Sequence, residues 1–283
     1  MRSQFARTFR TAAWLGWQVE SNWADPFFFL VFSVLKPVAS VLILVVMYRV
    51  VSQAGAQSPI YAYIYLGNAF YIYVAAMVAG ASFAILDDRE HYRTLKYLYV
   101  APISIPVYLM GRAVAKFVIG SIAVAITLAA GVLFFKVPLN LATANWPLFI
   151  LVLALGLACL TFMGISFGMW TLTIQNEPWM LGETVAAALY LFSGAIFPIT
   201  ILPAFLQPIG FALPMTYWLE LIRRALLGPG AAAFPTLAAF STPVLLAIMA
   251  GLTVVFGLLS VVAFRRCDFV ARERGLIDVT SNF

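Results

Sequence analysis

The sequence predicts an all-α membrane protein with six transmembrane helices. Of its 283 residues 64% are hydrophobic and only 10% are charged, which is more apolar surface than a soluble domain needs. The apolar stretches are continuous rather than alternating, which excludes an outer-membrane barrel and indicates helices of about 20 residues. The net charge of +6 needs no nucleic-acid partner, since basic residues gather beside the apolar stretches, where orientation and anionic lipid explain them.

The elements follow in order along one transmembrane domain, residues 1–283. Residues 1–26 predict an interfacial helix, because Phe5, Phe9, Ala12 and Gly16 recur at helical spacing opposite polar residues; a plain basic anchor fits equally well. The predicted spans cover residues 27–51, 60–86, 106–135, 147–174, 182–202 and 243–264. A polar tail follows over residues 265–283.

Between the second and third spans lies a densely charged segment, residues 87–102. Seven of its first ten residues are Asp, Glu, Arg, Lys or His. Each charge would cost roughly 2.5–3.5 kcal/mol at the centre of a bilayer, so the segment must lie in water. Tyr92, Leu95, Leu98 and Tyr99 nevertheless recur at helical spacing. The segment therefore predicts a short amphipathic helix gripped by another protein, with an ordinary solvated loop as the alternative.

Residues 203–230 are apolar but contain several prolines and charged residues. Pro208 and Pro214 lie inside this stretch, which also carries Glu220, Arg223 and Arg224, a poor fit to a straight span. We therefore expect a re-entrant pair of short helices before the last span. Six spans then place ten basic residues on the side of both termini and four on the other, which predicts cytoplasmic termini and an extracellular re-entrant pair.

Two motifs resemble permeases of the type-two ABC exporter family. The first consists of Arg89-Glu90, Thr94-Leu95, Ala101-Pro102-Ile103-Ser104 and Gly111-Arg112, and the second of Leu191-Phe192-Ser193-Gly194-Ala195-Ile196-Phe197-Pro198 with Leu202-Pro203 and Leu213-Pro214-Met215-Thr216-Tyr217-Trp218. Many members carry glycine where this chain has Arg93. The resemblance covers nearly the whole chain.

The resemblance implies a permease that docks onto two cytoplasmic ABC ATPase subunits and pairs with a second permease, a copy or a paralogue. Residues 87–102 then form the coupling helix, with Asp88, Arg89, Glu90, Thr94, Leu95, Leu98 and Pro102 as coupling residues. In this interpretation Leu95 and Leu98 enter a groove of the ATPase, and Arg89 and Glu90 orient it through charge-assisted hydrogen bonds.

No catalytic site is visible in the sequence. It contains no G-x-x-x-x-G-K-[ST] loop, so we expect no bound cofactor here and ATP-Mg on the partner subunit. His91 is the only histidine, and Cys159 and Cys267 are expected at different depths, so a metal site is not predicted.

Two further groups of residues are candidates for the transport route. Lys36 and Glu183 are ionisable residues near spans, and Tyr65 and Tyr73 belong to an aromatic-rich second span, for which an interfacial belt is the simpler explanation. The other group is a candidate extracellular gate, formed by Phe197, Pro198, Glu220 and Arg223. We expect Glu220 to pair with Arg223 or Arg224.

The leading functional hypothesis is a permease of the cell membrane that exports an amphiphilic, lipid-linked or drug-like substrate from the cytoplasm or inner leaflet at the expense of ATP. An ion-gradient-driven transporter is the alternative, although no inverted repeat is visible. An intramembrane lipid enzyme lacks a visible nucleophile or carboxylate pair. The sequence leaves open whether the substrate is a drug, a lipid or a glycan.

Overall fold

The structure is a computed structural model that describes residues 2–21, 59–137, 139, 142–174, 177–228 and 237–278, with isolated residues between 27 and 47. Every regular element in this part of the chain is helical. The predicted span over residues 27–51 falls largely outside the described residues. Lys36 also lies outside them.

Nine helices are used below. They are α1 (Arg2–Ser21), α2 (Ile60–His91), α3 (Leu95–Val100), α4 (Ile105–Leu133), α5 (Trp146–Thr171), α6 (Trp179–Phe192), α7 (Gln207–Ala212), α8 (Pro214–Leu227) and α9 (Thr242–Glu273). By length and composition α2, α4, α5 and α9 can cross a membrane, and α6 is a shorter apolar helix. The 14 residues of α6 reach only about 21 Å, compared with about 30 Å for a hydrocarbon core.

Proline sets the start of the long helices. Pro106, Pro147, Pro214 and Pro243 each lie in the first turn of a helix, where no backbone N–H is needed and the fixed φ favours the helix. At α5 the side chain of Asn145 also accepts a hydrogen bond from the backbone N–H of Leu148 at 3.1 Å. Helices α4, α5 and α9 therefore begin within one residue of the predicted spans.

Two helices end at other residues than the predicted spans. The fifth span is predicted to reach residue 202, but α6 ends at Phe192, and Gly194 adopts a φ of +70° just beyond it. The last span is predicted to end at residue 264, whereas α9 continues to Glu273. Arg265 and Arg266 mark the end of the apolar stretch but not the end of the helix.

Residues 203–228 form two helices rather than one span. Helices α7 and α8 are separated at Leu213, which has an extended backbone because Pro214 follows it. The prolines thus divide this segment as predicted. Nearly every residue of α8 is buried, and it packs against α2, α5 and α9.

Helix α2 occupies the centre of the bundle. In its most apolar window 67% of the residues are buried, against 22–39% in α4, α5 and α9. It contacts α4, α5, α6 and α8. Close approach to α5 depends on small residues, because a Cβ added at Gly164 would lie 2.6 Å from the carbonyl oxygen of Met77.

Helix α1 lies along α4 rather than standing alone. Ala12 is buried, and a Cβ added at Gly111 of α4 would lie 2.6 Å from its methyl group. Lys116 of α4 forms an ion pair with Glu20. The predicted apolar face is therefore divided, since Ala12 packs on α4 while Phe5 remains exposed.

Candidate functional site

The charged segment does not form a single helix. Asp87–His91 is a π-helical turn that completes α2, the chain reverses at residues 92–94, and α3 contains only Leu95–Val100. The helix predicted over residues 87–102 is therefore wrong in its extent. The physical reason is Arg93, whose φ of +51° lies in the left-handed region that interrupts a right-handed helix. This is the position at which many permeases of the resembled family carry glycine.

The turn is held by bonds to the end of α2. The backbone N–H of Thr94 donates to the carbonyl oxygen of Asp88 at 2.8 Å, and the Thr94 hydroxyl approaches the same oxygen at 3.4 Å. The backbone N–H of Tyr92 donates to the carbonyl of Asp87 at 2.7 Å. Thr94 thus closes the turn from within the chain.

A buried carboxylate joins α2 to α4. The Tyr108 hydroxyl donates to Oδ2 of Asp88 at 2.7 Å, and Nη1 of Arg112 lies 3.6 Å from Oδ1. All three residues are buried, and the opposite charges of Asp88 and Arg112 offset part of the cost of removing them from water. Tyr108 was not identified from the sequence, and no local pattern connects it with Asp88, which lies 20 residues away.

Arg89 and Glu90 also face their own chain. They form an ion pair with each other, and Nη1 of Arg89 approaches the carbonyl oxygen of Leu172, just beyond the end of α5, at 3.4 Å. Arg89 is buried. The expectation that this pair orients a partner protein requires correction, because in this structure it orients the end of α2 on α5.

Leu95 is likewise turned inward. It is only 3% exposed and belongs to an apolar cluster that includes Ile85, Ile105 and Leu172, with Leu98 packed against it. In this structure the apolar stripe of α3 packs on the body of the chain, and the entry of Leu95 and Leu98 into an ATPase groove stays a prediction. The residues that α3 presents outward are Tyr97, which is 67% exposed, and Val100, which is 86% exposed; Pro102 beyond it is also exposed.

The second motif surrounds Arg223 of α8. Its Nε donates to the carbonyl oxygen of Tyr63 at 3.1 Å, and its Nη2 donates to those of Gly194 at 2.9 Å and Ala195 at 3.1 Å. The guanidinium carbon lies 3.7 Å from the centre of the Tyr63 ring. Arg223 thus fixes the turn after α6 against both α2 and α8.

Glu220 is bound one turn earlier on α8. It accepts hydrogen bonds from the Tyr63 hydroxyl and from Nε of Arg224, the latter at 2.9 Å. Arg224 also donates to the carbonyl oxygens of Phe240 at 2.7 Å and Leu237 at 2.8 Å. The predicted pairing of Glu220 with Arg224 is confirmed.

A small cavity lies beside this cluster. It has room for about one water molecule, and its lining includes Pro198, Thr216, Glu220 and Arg223. The structure therefore brings three of the four predicted gate residues together. Phe197, the fourth, is half-buried in the adjoining turn.

The predicted route residues are not brought together. Tyr65 and Tyr73 are buried inside the chain, where Tyr65 donates to the carbonyl of Thr127 and Tyr73 to Oγ of Ser121 at 2.9 Å. Glu183 is exposed on α6. In this structure the rings and hydroxyls of both tyrosines hold α2 to α4, and their placement on a route stays a prediction.

Other aromatic residues of α2 are enclosed in the same way. Tyr61, Tyr63, Phe70 and Tyr71 are also buried. Aromatic residues on all sides of α2 thus contact the helices that surround it. Among the described residues, no group of three His, Cys, Asp or Glu could hold a metal, and the His91 ring contacts that of Tyr92.

Comparison with known proteins provides one finding. A family model described as ABC-2 type transporter matches residues 8–227, which include α2–α8 and both motifs. Comparison with the curated proteins finds no match.

Proposed function

Because the chain belongs to the ABC-2 type transporter family and is thus a multi-pass permease of an ABC transporter, we propose that it is the membrane subunit of an ATP-driven exporter. Its substrate is an amphiphilic, lipid-linked or drug-like molecule taken from the cytoplasm or inner leaflet. The complex contains two cytoplasmic ATPase subunits and a second permease. The chain lies in the cell membrane with both termini in the cytoplasm.

The observation that carries this proposal is the way in which α3 is mounted. Its apolar stripe lies in a cluster with residues from α1, α2, α4, α5 and α9, while Tyr97 and Val100 project outward. An exposed aromatic and an exposed aliphatic side chain on so short a helix suit the apolar core of a protein interface. A partner that moves α3 therefore moves the ends of several long helices.

The proposed mechanism follows from this mounting. ATP-driven closure of the ATPase subunits displaces α3 through Tyr97 and Val100. The ion pair of Asp88 with Arg112 and the contact of Arg89 with Leu172 pass this displacement into α2, α4 and α5. The spans then tilt, and the substrate passes between the two permeases.

The polar cluster of Glu220, Arg223 and Tyr63 has a different part in this proposal. It fixes the short helices α7 and α8 beside the turn after α6, at the end of the bundle remote from α3. In an exporter this is the extracellular side. The buried polar contacts keep the outer end closed until the spans tilt.

The test is purification of the tagged chain from native membranes, with mass spectrometry of the proteins that accompany it. We expect a near-stoichiometric partner that contains a G-x-x-x-x-G-K-[ST] loop. Tyr97→Asp places a charge in the proposed interface, so it should lower the recovery of this partner and the permease-dependent ATP hydrolysis by about tenfold or more. If the wild-type chain carries no such partner under mild extraction, an ion-gradient-driven transporter replaces this proposal.

Phe205→Asp is the matched control. Phe205 is an exposed aromatic residue like Tyr97, at 78% against 67%, and lies in the turn before α7. It belongs neither to α3 nor to the end of α9. Equal losses of partner in the two variants would show that the proposed interface is not on α3.

A further inference from the structure

The end of α9 folds back on the bundle. Gly275 has a φ of +66°, and its backbone N–H donates to the carbonyl of Arg272 at 3.3 Å, while that of Leu276 donates to the carbonyl of Ala271 at 2.8 Å. This pair of bonds defines a Schellman motif, in which a left-handed glycine reverses the chain. The reversal carries Leu276 back into the structure, where it is buried.

Leu276 and α3 share one apolar cluster. Ala271 and Leu276 lie in the same cluster as Leu95, and Leu98 and Tyr99 pack against it. Residues separated by about 180 positions in the chain thus exclude water together. A helix of six residues is too short to be stable by itself, so α3 depends on such contacts.

Polar contacts run beside this apolar contact. The guanidinium carbon of Arg272 lies 4.9 Å from the centre of the Tyr99 ring, and Nε of Arg272 forms an ion pair with Oδ2 of Asp268 at 3.1 Å. Burial, and secondarily the carboxylate of Asp268, raise the pKa of Tyr99, so its phenol stays neutral. Nζ of Lys96 lies 3.0 Å from Oδ1 of Asp278. This ion pair is half-exposed and contributes orientation rather than much stability.

These contacts lie on a segment beyond the family match, which ends at residue 227. We propose that residues 268–278, the C-terminal clamp, hold α3 to the end of α9 so that the two move as one body when the ATPase acts. The clamp is a positioning element, since it acts through its contacts with α3. The proposal rests on the proposed exporter function and adds α9 to the helices that α3 drives.

The first experiment locks the clamp covalently. Lys96→Cys and Asp278→Cys are combined in a Cys267→Ser background and joined by a short bifunctional methanethiosulfonate that dithiothreitol cleaves. The permease is studied in complex with its co-purifying ATPase in liposomes. If α3 and α9 move together, cross-linking leaves permease-dependent ATP hydrolysis unchanged. The single-cysteine variants treated with the same reagent are the controls.

The second experiment loosens the clamp. Gly275→Ala places a side chain at a left-handed residue, which should lower the population of the docked clamp by roughly 5- to 30-fold. Gly251→Ala is the matched control, because both glycines lie in open space near or within α9 and only Gly275 has a positive φ. We expect faster hydrogen exchange over residues 95–100 and weaker coupling in Gly275→Ala alone. Cross-linking residues 96 and 278 in this background should restore coupling. The same cross-link would not restore coupling if Gly275→Ala caused a general folding defect.

Two results would overturn the proposal that the clamp joins α3 to α9. One is loss of ATP hydrolysis on cross-linking while the single-cysteine variants stay active, since α3 would then have to leave α9. The other is a Gly275→Ala variant indistinguishable from Gly251→Ala in exchange and coupling. Failure of the exporter function itself is distinguishable, because the unmodified chain would then support no permease-dependent ATP hydrolysis.

Discussion

Gly156 is the position where one added methyl group should disturb the bundle most clearly. It lies on α5 beneath the indole of Trp218 on α8, and a Cβ at this position would overlap Nε1, Cδ1 and Cε2 of the indole. Ordinary contacts between heavy atoms are about 3.5–4.0 Å, so the two helices cannot both stay in place. The perturbation Gly156→Ala therefore tests the packing of α8 onto α5.

The magnitude follows from what holds Trp218. Its Nε1 donates to the carbonyl of Val152 at 3.0 Å, a bond of about 1 kcal/mol. Its ring makes edge contacts with Phe70 and Tyr73, each at 6.3 Å between centres and each contributing about 0.5–1.5 kcal/mol. Displacing the indole should thus lower the free energy of unfolding by about 2–4 kcal/mol, while alanine in place of a helical glycine raises it by about 1 kcal/mol. We expect a net loss of about 1–3 kcal/mol.

The assay is the apparent unfolding temperature of the purified chain in one detergent. A loss of about 2 kcal/mol should lower it by roughly 4–8 °C. Gly251→Ala is the control, because this glycine of α9 has open space around it and should be neutral or slightly stabilised. In a Trp218→Leu background the same Gly156→Ala change should cost less, since the indole is absent. Equal unfolding temperatures for Gly156→Ala and Gly251→Ala would refute the packing of Trp218 on Gly156.

Two further substitutions test other contacts. In Gly111→Ala the new Cβ would lie 2.6 Å from the methyl of Ala12 and 2.8 Å from the carbonyl oxygen of Phe9, so α1 should detach from α4. Trypsin should then cleave within α1 faster than in wild type. An unchanged cleavage rate would contradict this contact. Arg93→Gly removes a backbone strain of about 1–2 kcal/mol at the left-handed φ, which stabilises the fold, but raises the entropy of the unfolded chain, which costs about 0.5–1 kcal/mol. The Gly variant should therefore be at least as stable as wild type, and Arg93→Val should be less stable. Equal unfolding temperatures for the Gly and Val variants would contradict the assigned φ.

The helix starts could be predicted from the sequence because local chemistry determines them. Pro106, Pro147 and Pro243 each come two residues after a Ser or Asn and precede long apolar stretches, and each lies in a first helical turn. The division of residues 203–228 followed from proline in the same way. Such signals act within a few residues, so no knowledge of the fold is needed.

The end of α6 could not be predicted because its determinants are distant. Residues 193–202 remain apolar, so hydropathy continues without a break past Phe192. The carbonyls freed by the turn at Gly194 and Ala195 are instead bound by Arg223, which lies 28 or 29 positions away. A backbone that leaves the helix in apolar surroundings needs such a donor, and the sequence alone does not show which one supplies it.

Helix α3 shows a second limit. An amphipathic stripe establishes that Leu95 is buried but not what buries it. Here the covering surface comes from Ile85, Leu172 and Leu276, which are far apart in the chain. The side chains left for a partner are therefore those that the stripe excludes, such as Tyr97.

Helix α2 shows why hydropathy alone does not tell buried aromatic residues from lipid-facing ones. In a membrane, lipid and protein interior are equally apolar, so a buried ring and a lipid-facing ring look alike in a hydropathy pattern. The hydroxyl groups distinguish them, because a phenol away from water needs an acceptor. Tyr63, Tyr65 and Tyr73 each donate to a different residue of the bundle, to Glu220, the Thr127 carbonyl and Ser121. Tyrosines around the circumference of a span whose hydroxyls donate to neighbouring helices therefore indicate a helix that other helices enclose.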